Sequence, residues 1–122
     1  MTTIQKDGGS NLATVINVFT VIEPANQQRL VDILIEATEK VMNKEEGFIS
    51  ANIHKSLDGT HVVNYAQWKS KEAFEKILNN PKVIVHMNEI STIAKGESRL
   101  YEVVFVDDSG SSNSTSTTTA LE

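Results

Sequence analysis

The chain has no cysteine among its 122 residues, which excludes disulfides, thiolate chemistry and cysteine-bound metals and fits a reducing compartment. Basic residues are also outnumbered: 11 Lys and Arg stand against 16 Asp and Glu, giving a net charge of −5 and a pI near 5.2. A nucleic-acid groove or an anionic membrane surface needs basic patches, so neither is an expected partner. No apolar run approaches the roughly 20 residues that span a bilayer. Residues 1–10 are polar, with Gly8-Gly9 among them, and lack the apolar stretch of a secretion signal. The expectation is a single soluble, cytoplasmic domain with a modest core.

What the chain does have is organised around residues 62–68, Val-Val-Asn-Tyr-Ala-Gln-Trp. β-Branched and aromatic residues crowd this stretch and an Asp58-Gly59 turn precedes it, so it reads as a strand. Alternation puts Val62, Asn64, Ala66 and Trp68 on one face, with Val63, Tyr65 and Gln67 on the other. Asn64 and Trp68 then lie about 13 Å apart along one face, roughly the length of a flat polycyclic molecule. The plainer reading has Asn64 bonded to backbone and Trp68 in the core. Residues 13–21 form a second β-branched strand, interrupted at its centre by Asn17, which shares a face with Val15, Phe19 and Val21. Two amides at the middle of two apolar strands are harder to explain as packing than one.

The remaining chain supplies the other elements. Pro24 ends the first strand, and Asn26 is positioned to cap a helix over 27–42 whose apolar members include Leu30, Leu34, Ala37 and Val41, with Val31, Ile35, Thr38 and Met42 beside them. A strand over 48–54 enters the hairpin turn at 57–60. Ser70 caps a helix over 71–78 containing Ala73, Phe74, Ile77 and Leu78, and Pro81 opens another over 81–94. On that helix Met87 joins the apolar side, and His86, one turn from Val83 and Ile90, can reach the interior. Residues 95–98 read as a turn and 99–106 as the last strand. The expected boundaries are a disordered lead over 1–12, a domain over 13–107 and a disordered tail over 108–122. The tail is rich in Ser and Thr, and Leu121-Glu122 reads as a cloning remnant. The order β-α-β-β-α-β defines an α+β, ferredoxin-like antiparallel sheet in which the first and third strands are neighbours. Asn17 and Asn64 would then lie together. One helical layer covers one sheet face, so the face of Ile16, Val18, Val63 and Tyr65 is expected to meet a second copy in a homodimer.

The runs Gly47–His54, Ser56-Leu57-Asp58-Gly59 and Val63-Asn64-Tyr65-Ala66-Gln67-Trp68 resemble the antibiotic biosynthesis monooxygenase family, as do residues 70–74, His86-Met87 and residues 100–103. The resemblance covers about 13–107 and implies a dimeric α+β barrel with a pocket between sheet and helices. Members that form quinones in aromatic polyketide pathways oxidise anthrones with O₂, using no metal, flavin or haem. By resemblance their catalytic residues fall on Asn17, Asn64 and Trp68, and His86, Phe19, Leu34, Phe74 and Met87 are candidates to line the pocket. His54 is a further histidine to place. No cofactor and no metal site are expected, and the partners implied are a small aromatic substrate, O₂ and a second subunit. Two alternatives accompany this reading. Haem-degrading relatives use a first-strand asparagine and a late-helix histidine, but the tryptophan they also need is Ile77 here. A binding module without turnover is the other.

Overall fold

The computed structural model describes residues 12–107; apart from Leu12, the expected lead and tail lie outside the described residues. Four strands run β1 (Ala13–Val21), β2 (Phe48–Lys55), β3 (His61–Trp68) and β4 (Ala94–Tyr101). Three α-helices join them: α1 (Gln27–Lys40), α2 (Lys71–Ile77) and α3 (Pro81–Ser91). The sheet order is β2-β3-β1-β4, with every adjacent pair antiparallel. This is the α+β, ferredoxin-like arrangement, and β1 and β3 are neighbours as the element order requires. No helix among the described residues is long and apolar enough to cross a membrane.

Helix α1 lies on the sheet because Leu30, Ile33, Leu34 and Ala37 recur at helical spacing and are buried. Asn26 occupies the N-cap position but its side chain makes no capping bond. The start of α1 is instead tied to the β2–β3 hairpin, where Gln27 Nε2 donates to the carbonyls of Ser56 at 2.9 Å and His61 at 3.0 Å. The helix ends at Lys40, two residues before the expected end. Val41 leaves helical geometry at φ −128° and turns inward to be buried. Ser70 caps α2, its Oγ accepting from Ala73 N–H at 3.0 Å. Asn80 caps α3 by accepting from Lys82 N–H at 2.8 Å, with Pro81 at the first helical position. α3 stops at Ser91, short of the expected Ala94. The Ile93 carbonyl accepts from Ile22 N–H at 2.9 Å, which draws the chain into the sheet.

The last strand departs most from expectation. Residues 95–98 do not turn; they lie within β4, and the regular strand ends at Tyr101 rather than at 106. β4 is an edge strand, hydrogen-bonded on one side only, so its polar composition carries little penalty. Its glycine serves the neighbouring strand. Gly96 pairs with Phe19, and a Cβ there would sit 2.9 Å from Phe19 Cε1 and 3.0 Å from Cδ1. Gly96 therefore leaves room for the Phe19 ring. Gly96→Val is expected to destabilise the protein by about 1–3 kcal/mol through overpacking. The double variant Gly96→Val/Phe19→Ala should lose less than the sum of the single losses in thermal denaturation; strict additivity would contradict the contact.

The β2–β3 turn is stabilised by Asp58. Its Oδ1 accepts from the Ser56 and Thr60 hydroxyls at 2.7 Å each and from Thr60 N–H at 3.0 Å, while Gly59 takes the positive φ of 83° that the turn requires. These bonds, the Thr60 hydroxyl first, lower the Asp58 pKa to about 2. A depressed carboxyl contributes stability above its unfolded pKa and loses it as pH falls through the folded value. The Asp58 contribution should therefore persist at pH 4 and disappear near pH 2. A carboxyl-carbon NMR titration midpoint near 4 would contradict this.

The core is divided. One buried cluster contains Val21, Leu30, Ile33, Leu34, Val62, Ile90, Ile93 and Ala94, with Phe19 packed against it. The other contains Ala13, Val15, Val41, Trp68, Ile77 and Val83. Along β1 and β3 the two clusters are separated where the amides interrupt the apolar pattern. Polar substitution in two adjacent strands thus opens the space between sheet and helices.

Candidate active site

That space is a cavity of about 400 Å³, within the range of small-molecule sites. The floor is the helix-facing side of β1, β3 and β4, and the roof is Leu34 and Ala37 of α1, Phe74 and Ile77 of α2, and α3. Asn17, Asn64 and Trp68 all line it, and so do Phe19, Leu34, Phe74, His86 and Met87. Every candidate named from the sequence is brought to one place except His54. That histidine, on β2, pairs with Val63 of β3 on the sheet face turned away from the helices.

Asn17 pairs directly with Asn64 across β1 and β3, and with Ser98 across β1 and β4. Three polar side chains therefore form one row across the sheet at strand spacings of about 4.8 Å. Asn64 is only 4% exposed, and its Oδ1 is buried without a hydrogen-bond partner. An unsatisfied buried polar atom costs about 1–3 kcal/mol, so the protein holds this acceptor open toward the cavity at some expense in stability. Trp68 is 2% exposed. Its ring meets Phe48 edge-on at a centroid distance of 5.4 Å and lies 6.3 Å from Phe74 at a 53° tilt. These contacts hold the indole plane at the end of the cavity.

His86 is half-buried on α3, and its Nδ1 lies 2.8 Å from the Lys82 carbonyl oxygen. A carbonyl only accepts, so Nδ1 carries the hydrogen and the neutral ring keeps its lone pair on Nε2. Ser98 and Ser91 also line the cavity and were missed from the sequence. Ser98 went unnoticed because β4 was expected five residues too late. With β4 starting at Ala94, the alternation Ala94, Gly96, Ser98 puts its hydroxyl on the cavity face.

A layered α+β domain with a mostly apolar cavity edged by amides and an indole suits a small, largely apolar organic molecule. Residues 12–96 match the antibiotic biosynthesis monooxygenase family. The tetracenomycin F1 monooxygenase of Streptomyces glaucescens is 37% identical over 93 residues, which cover 76% of this chain and 82% of that protein. The crystal structure of a monooxygenase from ActVA-Orf6 of Streptomyces coelicolor, in complex with nanaomycin D, superposes with a TM-score of 0.66 at 27% identity, over 82% of this chain and 95% of that one. SnoaB of Streptomyces nogalater, a cofactor-independent oxygenase, shares the fold with a TM-score of 0.67 at 22% identity, over 79% and 96% of the two chains. The chain belongs to the antibiotic biosynthesis monooxygenase family and is an enzyme of the monooxygenase class.

Proposed function

We propose that the protein oxidises a hydroxylated anthrone of polyketide type to the quinone with O₂ and no cofactor. The carrying observation is the buried, unpartnered Oδ1 of Asn64 in an apolar cavity, directly opposite Asn17. An amide offers an acceptor and two donors side by side. A hydroxy-ketone edge presents the complementary pair: its O–H meets Oδ1 and its carbonyl oxygen meets an amide N–H. The relatives support this class of molecule, since one is a tetracenomycin F1 monooxygenase and another holds nanaomycin D.

The overall change is R₂CH₂ + O₂ → R₂C=O + H₂O, and the substrate itself supplies the electrons. Loss of a proton from the methylene carbon leaves an anion delocalised onto the ketone oxygen. That anion gives one electron to O₂, the two radicals combine, and a carbon-bound peroxide results. Protonation of the peroxide and loss of the second C–H proton break the O–O bond and release water. Asn17, Asn64 and Trp68 line the cavity, and in this reading their N–H groups stabilise the enolate and peroxide oxygens as charge develops. In an apolar cavity such donors act more strongly than in water.

The test is to add an anthrone in air to metal-free protein and follow quinone formation. A rate well above spontaneous oxidation, unchanged by chelator, supports the proposal; a rate equal to the protein-free control sinks it.

The assembly proposed is a homodimer through the sheet face away from the helices. Ile16, Val18, Val63 and Tyr65 are only half-covered there, and beyond β4 Val104 and Phe105 are 73% and 75% exposed. Apolar side chains left partly exposed on one sheet face are favoured places for a second copy to pack. Sedimentation at micromolar concentration is expected to give twice the 13.4 kDa chain mass. A stable monomer would contradict it.

A further inference from the structure

We propose that His86 is the general base of this reaction, taking the proton from the substrate methylene at Nε2; the assignment rests on the anthrone reading above. Amides, an indole and hydroxyls can stabilise an anion, but none of them accepts a proton from carbon near neutral pH. Among the described residues lining the cavity, His86 alone carries a basic ring nitrogen; the others offer apolar, amide, indole, hydroxyl or thioether groups. Its tautomer is set for the task. Nδ1 donates to the Lys82 carbonyl at 2.8 Å, which leaves the lone pair on Nε2 of a ring that lines the cavity. The helix behind it is anchored, with Val83 and Ile90 buried on either side of His86 in sequence.

The charged groups nearby leave that nitrogen free. On α3, Glu89 is engaged by Arg29 of α1 at 3.1 Å, and Lys82 meets the ring through its carbonyl. The other charged residues of α1 (Asp32, Glu36, Glu39 and Lys40) are exposed, as are Lys71, Glu72, Glu75 and Lys76 of α2. On β4, Lys95, Glu97 and Arg99 alternate with the cavity-facing Gly96 and Ser98, and so belong to the opposite sheet face. Among the described residues, no carboxylate or ammonium lines the cavity.

In the proposed step the C–H bond breaks, the proton passes to Nε2, and the electron pair remains in the ring system as the enolate. After O₂ has added, the imidazolium returns the proton to the peroxide. The same nitrogen then takes the second C–H proton as the O–O bond breaks and delivers it to the departing hydroxide. The histidine ends neutral, as it began.

The experiment measures kcat and its pH profile with an anthrone for the wild type, His86→Asn and His86→Ala. His86→Asn keeps an amide donor able to reach the Lys82 carbonyl but has no basic nitrogen. It is expected to lower kcat by about 10²–10⁴ and to abolish the acidic limb of the profile. Added imidazole should restore turnover to His86→Ala in proportion to its unprotonated fraction, a response that a merely structural histidine would not produce. Circular dichroism confirms that each variant is folded; should His86→Asn fail to fold, imidazole rescue of His86→Ala decides. Folded variants that keep the wild-type rate and acidic limb overturn the base assignment alone. A wild type that oxidises no anthrone overturns the function reading, and the base assignment with it.

Discussion

Asn64→Ala is expected to slow turnover by about 10²–10³ while the fold and its stability stay nearly intact. A structural amide behaves in the opposite way, its removal costing about 1–3 kcal/mol through broken or stranded hydrogen bonds. Here the Oδ1 atom is already unpartnered, so alanine removes an unsatisfied group, and that relief offsets the packing lost at a residue only 4% exposed. The backbone ladder with Asn17 does not depend on the side chain. Steady-state kcat, read beside a thermal melt of the same sample, separates the two roles. A variant that melts far below the wild type yet turns over normally per folded molecule would make Asn64 a structural residue.

Trp68 carries two functions that different substitutions separate. As packing it is indispensable: it is 2% exposed, edge-on to Phe48 and tilted against Phe74. Trp68→Ala should therefore cost about 3–5 kcal/mol and forfeit much of the folded population. Trp68→Phe keeps an aromatic ring in the same cluster and deletes the N–H donor together with part of the bicyclic ring. Its expected effect is a 10- to 100-fold loss in kcat, about the worth of one hydrogen bond to a charged oxygen, with a smaller loss of stability than Trp68→Ala. If Asn64 and Trp68 stabilise one anion, Asn64→Ala/Trp68→Phe should lose less than the product of the single losses. Fully multiplicative losses would assign them to separate steps.

Much of this site was legible in two strands. Alternation in 13–21 and 62–68 put Asn17, Asn64 and Trp68 on one face, and the element order made their strands neighbours. Both put Asn17 and Asn64 close together, and the observed register sets them directly opposite each other. Other features lay beyond a linear reading. Gly96-Glu97-Ser98 carries the residues of a turn, but a one-sided edge strand tolerates polar residues, and the glycine answers to the Phe19 ring rather than to a bend. Ser98 was lost with that misplacement. On α1 the true inner stripe includes Ile33 and leaves Ile35 40% exposed, a rotation that only the sheet beneath decides. The cavity itself is a gap between two packed clusters, and a gap has no residues of its own to signal it.

Oxygen-isotope transfer tests the central claim most directly. Metal-free protein is given an anthrone under ¹⁸O₂ in unlabelled water, beside Asn64→Ala as the control for spontaneous oxidation, and the quinone is weighed by mass spectrometry while oxygen uptake is recorded. The account predicts one ¹⁸O atom in each quinone, one O₂ consumed per product, no hydrogen peroxide released, and a rate for Asn64→Ala close to the protein-free reaction. Quinone whose new oxygen comes from water, or one peroxide released for each quinone formed, would contradict it.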